Sequence, residues 1–258
     1  MSKKIIGTVD IYMPTWNSEK VLSGTLSHLA SSMSYADLNV NRLILMDNLS
    51  DDDTVYIART KAEEYGWTSV VKEQECSLPR AREVAAEMVQ TQWFLFLDDD
   101  VRLSEGYLRQ ITRCIAPSIG AVQGRKSSST GHPWEWCQRR MYRGGTHATL
   151  IRTEALQGIS IPKGVKVLED EYIRRHVESL GFIWVFNHQA RYEHESMERH
   201  KIGWEQGIIA GRFGLMPFHS IILLIADSII SAKNPVRRII LMIGYLYGLI
   251  SKNEEKSK

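Results

Sequence analysis

Cysteine is scarce in this chain: Cys76, Cys114 and Cys137 are the only three in 258 residues. They are odd in number, far apart, and form no C-x-x-C pair, which excludes a disulfide framework and a zinc knuckle. A surplus of one charge is also missing. The 32 Lys/Arg and 30 Asp/Glu leave a formal net charge of +2, whereas a dedicated nucleic-acid binder carries a strong basic excess. No repeat of fixed period and no low-complexity segment occurs. The opening MSKKIIGTVDIYMP meets Asp10 within a short apolar stretch, so it lacks the h-region and cleavage site of a secretory signal. The expectation is a cytoplasmic protein in a reducing compartment. Apolar residues at 43% and charged residues at 24% fit neither a disordered chain nor a multi-span membrane protein. The length suits one large domain, or one domain with an appendage.

The charge that is present is unevenly placed. Residues 199–258 hold nine Lys/Arg and four Asp/Glu, a net of +5, which leaves −3 for residues 1–198. This shift sets an expected boundary, with a body over 1–198 and a helical tail over 199–258. Two stretches of the tail, 213–226 and 239–250, carry no formal charge. As helices they measure about 21 Å and about 18 Å, short of the roughly 30 Å hydrocarbon core of a bilayer. Arg237 and Arg238 directly precede the second stretch, with Lys233 nearby. Apolar helices flanked by cations suit the membrane interface, so a membrane surface is an expected partner of the tail. The other reading packs these helices onto the body or a second subunit.

The body reads as strand then helix, repeated. Strands are expected over 5–13, 42–46, 69–71 and 93–97, ending at Pro14, Asp47, Val71 and Asp98. Helices are expected over 18–30 with Ser18 as cap, 54–65 with Asp53 as cap, 79–89, and onward from Ser104 to about 115. Such alternation gives an open α/β sheet, mostly parallel, with helices on both faces. The stretch 125–145 has no clean period and reads as a long loop holding His132, Trp134, Trp136 and Arg139. Long loops of this kind are often functional. A strand over 146–152, a helix over 170–180 closed by Gly181, and a strand over 182–186 follow.

Ligands of such sheets bind beyond the carboxyl ends of the strands, and Pro14, Asp47 and Asp98 all fall there. Three adjacent carboxylates, Asp98, Asp99 and Asp100, follow a strand that is apolar throughout. Oxygen ligands hold hard divalent cations, and a cation so held can clamp a diphosphate. In the pattern D-x-D the outer pair is Asp98 and Asp100, while the triplet alone also fits a solvated acidic turn. The second triplet, Asp51, Asp52 and Asp53, reads as a turn and helix cap.

Four segments, in order, resemble the inverting nucleotide-sugar glycosyltransferases of family 2, which have the GT-A (Rossmann-like) fold. IYMPTWNSEKVLSGTLSHL is similar to the family's opening strand, which implies Pro14, Thr15 and Asn17 as nucleotide-pocket residues. RLILMDNLSDDDT is similar to the second strand, which implies Asp47 as a contact of the base. LPRAREVAAEMVQTQWFLFLDDDV resembles the unit leading to the metal motif. Its Arg82 lies in register with the family's arginine, Asp98 and Asp99 would face the donor, and Asp98 and Asp100 would hold the metal. VLEDEYIRRHVESLGFIWVF resembles the E-D element, which implies Asp170 as catalytic base with Glu169 beside it. His194, in ARYEHES, occupies a position where many members carry a histidine near the metal. The segment GGTHATLIRTEAL resembles the strand between donor and acceptor halves, where Gly144, Gly145 and Thr146 would let backbone approach a sugar. Trp134 and Trp136 would stack on sugar or touch lipid. Glu83 replaces the asparagine usual after the arginine, PKGVKVL replaces an acidic-glycine stretch, and the Q-x-x-R-W box of processive members does not occur.

The implied activity is inverting transfer from a UDP-sugar, or second a GDP-sugar, to a hydroxyl of a lipid-linked or glycan acceptor. Its cofactor would be Mn²⁺ or Mg²⁺, its place peripheral on the cytoplasmic face of a membrane, and an oligomer would be compatible. Inversion needs one carboxylate to take the acceptor proton and a cation to stabilise the departing diphosphate. Two other enzymes share these parts: a polyprenyl-phosphate glycosyltransferase, whose anionic acceptor needs a base less, and a sugar-nucleotide nucleotidyltransferase. The latter usually opens with a Gly-rich basic loop, which YMPTWNSEK is not. A non-catalytic binder on the same fold would bind donor without turnover.

Overall fold

The computed structural model describes residues 6–127, 144–195, 203–217, 222–223, 226 and 235–256. The chain forms two compact units. The first comprises Met1–Ser128, Gly145–Ser160 and Ile173–Ser196, and the second Ser129–Gly144, Ile161–Tyr172 and Met197–Lys258.

The first unit is an eight-stranded mixed sheet covered by helices. In chain order it contains β1 (Thr8–Thr15), α1 (Glu19–Ala36), β2 (Asn39–Asp47), α2 (Thr54–Glu64), β3 (Thr68–Glu73), α3 (Leu78–Met88), β4 (Trp93–Leu97), β5 (Val101–Leu103), α4 (Tyr107–Thr112), β6 (Ile119–Lys126) and β7 (Ala148–Arg152). A 3₁₀ turn, Thr153–Leu156, follows β7. The helix α5 (Glu169–Ser179) precedes β8 (Ile183–His194), and its chain passes from the second unit into the first at Ile173. The strand order is β3-β2-β1-β4-β7-β6-β8-β5. β3, β2, β1 and β4 are mutually parallel, as are β6 and β8, while β7 and β5 run against their neighbours.

The first half follows from local sequence. WFLFL is buried at every position, as a strand covered on both faces must be. On α1, Leu22, Leu26, Leu29 and Met33 recur at helical spacing and join β1, β2 and β4 in one core. α1 runs past the expected end at residue 30 because Ser32 and Met33 extend that buried face; it stops at Asp37, whose φ of 54° is left-handed. β1 runs through Pro14 instead of stopping before it. The Thr15 carbonyl accepts from Asn48 on the β2 side, so the absent N–H of Pro14 points the other way, where β4 pairs only as far as Tyr12.

The second half departs from the expected elements. β6 is buried over its first six residues, although its glycines and polar Gln123 hide it in sequence. α4 begins after Gly106, and Ser104 closes a turn to Tyr107 instead of capping the helix. β8 continues past residue 186 to His194, through the polar stretch NHQAR. Pairing sustains it, with Tyr192 opposite Lys126 of β6 and His194 opposite Val101 of β5. Gly181, at φ 86°, ends α5 as expected.

In the second unit, α6 (Trp204–Arg212) and α7 (Pro235–Lys256) pack around Ala210, Met216, Leu241 and Tyr245. α6 ends at Arg212 and Gly214 turns the chain with φ 63°, so the apolar stretch 213–226 does not begin as a helix. Residues 218–221, 224 and 225 of that stretch lie outside the described residues. The expected helix over 239–250 is the centre of α7.

Candidate functional site

The sheet brings four chain ends to one edge. β4 points its carboxyl end there. β7 is antiparallel to β4 and starts there, with Ala148 opposite Leu97; β8 is parallel to β4 through β6 and ends there at His194. β5 starts there beside β8. Asp98, Asp100, His147 and His194 therefore meet, although they span 97 positions of sequence.

Ligand atoms of Asp98, Asp100 and His194 all lie within 4.8 Å of one another. His194 Nε2 stands 3.1 Å from Asp100 Oδ1. The hydrogen bond that His194 donates to Asp100 raises the His194 pKa, and the charges of Asp100 and Asp98 add to it against the pull of burial. Arg82, 1% exposed, donates to Asp98. Burial pushes the Asp98 carboxyl up, but the charges of Arg82, His147 and His194 and the Arg82 hydrogen bond outweigh it and hold it below its ordinary value. Arg82 is itself fixed over the Phe96 ring at 4.9 Å. The Tyr12 hydroxyl ties α3 to β1 by donating to the Ala81 carbonyl at 2.6 Å.

Each aspartate of the triplet has its own surroundings. Asp99 is buried and accepts from the Ser18 hydroxyl, while its carbonyl accepts from Thr25 Oγ1 at 2.8 Å. The Ser18 side chain thus anchors α1 to the triplet instead of capping α1, and no side-chain cap bond is made there. The residues expected on the nucleotide side, Pro14, Thr15, Asn17 and Asp47, gather at the ends of β1 and β2. Thr15 Oγ1 and Ser50 Oγ donate to Asp47 Oδ1 at 2.8 and 2.7 Å, and the Ser50 N–H donates to Oδ2 at 2.8 Å. Asp47 is fully buried. Pro14 is half-buried; Asn17 is exposed, left-handed at φ 48°, and accepts from the Asp51 N–H at 3.1 Å. Trp16 is 51% exposed at the same rim, and Leu49 is 57% exposed.

The acids of the E-D segment open α5 in the second unit. Glu169 and Glu171 are buried and Asp170 half-buried. Leu168, just before them, is left-handed at φ 64°, a strained state for leucine that its packing against the α6–α7 core holds. Gly144 donates to Glu171 Oε2 at 3.3 Å, and a side chain there would lie 2.4 Å from the Asp170 carbonyl oxygen. A Cβ at Gly145 would lie 2.5 Å from the Gln123 amide nitrogen. Backbone accounts for Gly144, whereas at Gly145 the obstacle is the end of the Gln123 side chain. Thr146 is buried. Trp134 and Trp136 lie outside the described residues.

Three participants escape sequence reasoning. The His147 ring lies parallel to that of His194, 5.4 Å away, hydrogen-bonds the Tyr192 hydroxyl, and its carbonyl accepts the Asp98 N–H at 3.0 Å. Tyr192 and His194 are two apart and share a face of β8, a signal available once 187–194 is read as strand. Trp16 sits inside a quoted segment, and its exposure alone marks it. His147 has no such signal, because only the antiparallel return of β7 delivers it.

Two carboxylate oxygens and an imidazole nitrogen form a donor set suited to a divalent cation, and the imidazole tilts it toward a first-row ion such as Mn²⁺ over Mg²⁺. The 3.1 Å between His194 Nε2 and Asp100 Oδ1 suits adjacent ligands, which stand about 3 Å apart around such an ion.

The glycosyl transferase family 2 model matches residues 10–163. Comparison with curated proteins finds no sequence match. Among solved structures, the chain is similar to S. aureus TarS, with a TM-score of 0.60 and 15% identity; the match covers 94% of this chain and 43% of that one. The chain thus spans less than half the length of that relative. TarS 1–349 in complex with UDP-GlcNAc gives 0.61 and 17%, covering 95% of this chain and 73% of that one. The mannosyltransferase PcManGT from Pyrobaculum calidifontis, in complex with GDP-Man and Mn²⁺, gives 0.62 and 15%, with coverages of 95% and 73%. At these identities the likeness establishes the GT-A fold.

Proposed function

The chain belongs to glycosyl transferase family 2, and we propose that it transfers a sugar, with inversion, from a nucleotide-sugar to an acceptor hydroxyl. A UDP-sugar is favoured and a GDP-sugar is the second choice; the similar structures hold one of each. The acceptor is lipid-linked or a glycan, met at the cytoplasmic face of a membrane. The observation that carries the reading is the convergence of Asp98, Asp100 and His194 at the strand ends.

These three side chains would hold a divalent ion, whose chemistry is to neutralise charge on the diphosphate as it leaves. The chain's own residues do the rest. Arg82 holds Asp98 ionised, and Asp47 fixes Thr15 and the 47–50 turn under the nucleotide. Trp16 offers an exposed ring on which the base can stack. Asp170 acts as the base that accepts the acceptor's proton. An anionic acceptor such as a polyprenyl phosphate would dispense with that base.

Calorimetry with a panel of nucleotide-sugars, with and without Mn²⁺, tests this. Asp100→Ala should abolish Mn²⁺-dependent donor binding; unchanged affinity would remove the cluster from the donor site. Asp170→Asn should retain donor binding and lose transfer by about 10²-fold or more, the scale of a general base. Full turnover by that variant would shift the reading to the anionic acceptor.

A further inference from the structure

The helix pair of the second unit reverses the usual placement of large and small side chains. Gly207 and Gly211 of α6 meet α7, and Gly244 and Gly248 of α7 meet α6. A Cβ at Gly207 would lie 2.2 Å from the Leu241 carbonyl oxygen, and at Gly211 2.2 Å from that of Tyr245. At Gly244 it would lie 2.5 Å from the Trp204 carbonyl oxygen, and at Gly248 2.3 Å from that of Ile208. Every obstacle is backbone, so neither helix can yield, and the contacts advance together along both chains, making the pair parallel. Small residues at four-residue spacing let backbones approach and gain dispersion without bulky side chains.

The bulky side chains are on the outside. Val236, Ile239, Ile243, Leu246, Tyr247 and Ile250 are 66, 43, 49, 40, 52 and 61% exposed. Their three- and four-residue spacing makes one stripe along α7, opposite the seam of Leu241, Gly244, Tyr245 and Gly248. Water would drive such a stripe into the seam; a lipid surroundings would not.

We propose that the outer face of α7 lies in the headgroup–acyl boundary of an anionic lipid surface, entering with α6 as one glycine-locked pair. Among the described residues no helix is long and apolar enough to cross a membrane, so the face lies in the boundary and does not span it. Cations bracket the uncharged stretch 239–250, with Arg237 and Arg238 before it and Lys252 after it. They match the negative potential of anionic headgroups. The inference deepens the membrane-side reading above by naming the surface and its occupant.

Flotation of the full chain with vesicles tests it. The chain should float with vesicles containing phosphatidylglycerol and much less with pure phosphatidylcholine at physiological salt. Ile243→Glu with Ile250→Glu should weaken flotation at least tenfold. Arg237→Glu with Arg238→Glu, at positions that precede Leu241, the first residue of the seam, should do the same on anionic vesicles and serves if the first pair fails to fold. A wild-type chain left at the bottom of the gradient overturns the proposal. So does a lipid-free dimer, seen by light scattering, that Ile243→Glu dissociates. Calorimetry of UDP with Mn²⁺ reads the donor site separately: lost flotation with intact donor binding condemns only the lipid face, and the reverse condemns only the enzyme reading.

Discussion

Buried carboxylates in this chain do two kinds of work, and Asp10 separates them. Asp98 and Asp100 sit at the carboxyl edge of the sheet beside histidines, whereas Asp10 lies near the start of β1, fully buried. It accepts from Arg42 Nη2 at 2.8 Å, Asn41 Nδ2 at 2.8 Å and the Gln90 N–H at 2.6 Å, so it ties β2 and the turn after α3 to β1. Burial pushes its carboxyl up, but the Arg42 bond and charge, the Gln90 N–H and the Asn41 amide outweigh this and hold it below its ordinary value. A carboxyl lower in the folded chain than in the unfolded one stabilises the fold where the unfolded form is ionised, and that stability goes as pH falls through the folded value. The wild-type urea midpoint should therefore fall as pH drops below about 5, the onset expected for such a group. Asp10→Asn should cost about 3–5 kcal/mol at neutral pH, the scale for breaking a buried ion pair, and should flatten that acid limb. An unchanged acid limb would show that Asp10 contributes nothing to it.

Elements were legible where one strand or helix carries its own pattern, and illegible where a neighbour decides. WFLFL is apolar at every position and declares β4. β8 does not declare itself, because pairing with β5 and β6, and not the polar residues NHQAR, carries it to His194. The pair Asp98 and Asp100 could be read from spacing, and His194 by resemblance, but the stacking of His147 on it exists only through sheet order. Capping shows the same limit at finer grain. Sequence assigns the cap of α2 to Asp53, the residue before the helix, yet Asp53 makes no side-chain cap bond. Asp52 does that work: Oδ1 accepts the Thr54 N–H at 3.0 Å, and Oδ2 accepts the Glu19 N–H of α1 at 3.1 Å. The Asp53 N–H in turn reaches Glu19 Oε2 at 3.5 Å. One carboxylate thus serves the first turns of two helices. Asp52→Ala should cost about 1–2 kcal/mol and Asp53→Ala no more than a few tenths, on the scale of cap substitutions. Chemical denaturation of both variants decides the matter, and equal losses would return the cap to Asp53.

At the scale of the molecule, the proposed donor residues and the proposed lipid face fall in different compact units. Asp98, Asp100, His194, Arg82 and the 47–50 turn all belong to the first, while the glycine-locked helix pair belongs to the second, as does Asp170. The second unit is assembled from three stretches of chain, a division that a single composition shift near residue 199 could not reveal. A ligand that binds only a folded unit stabilises that unit by mass action. Mn²⁺ with UDP should therefore raise one calorimetric unfolding transition and leave the other in place. At about 100 times the dissociation constant the gain is about 2.7 kcal/mol, or roughly 5–10 °C for a unit of this size. Chelation by EDTA should return the shifted transition to its origin. Asp100→Ala should show no shift, while keeping both transitions, because that side chain stands at the edge of the sheet and outside the packed core. Anionic vesicles should act on the other transition. If Mn²⁺ with UDP moves both transitions equally, the cation and nucleotide are stabilising the chain as one cooperative body, and the separation of donor chemistry from lipid contact fails with it.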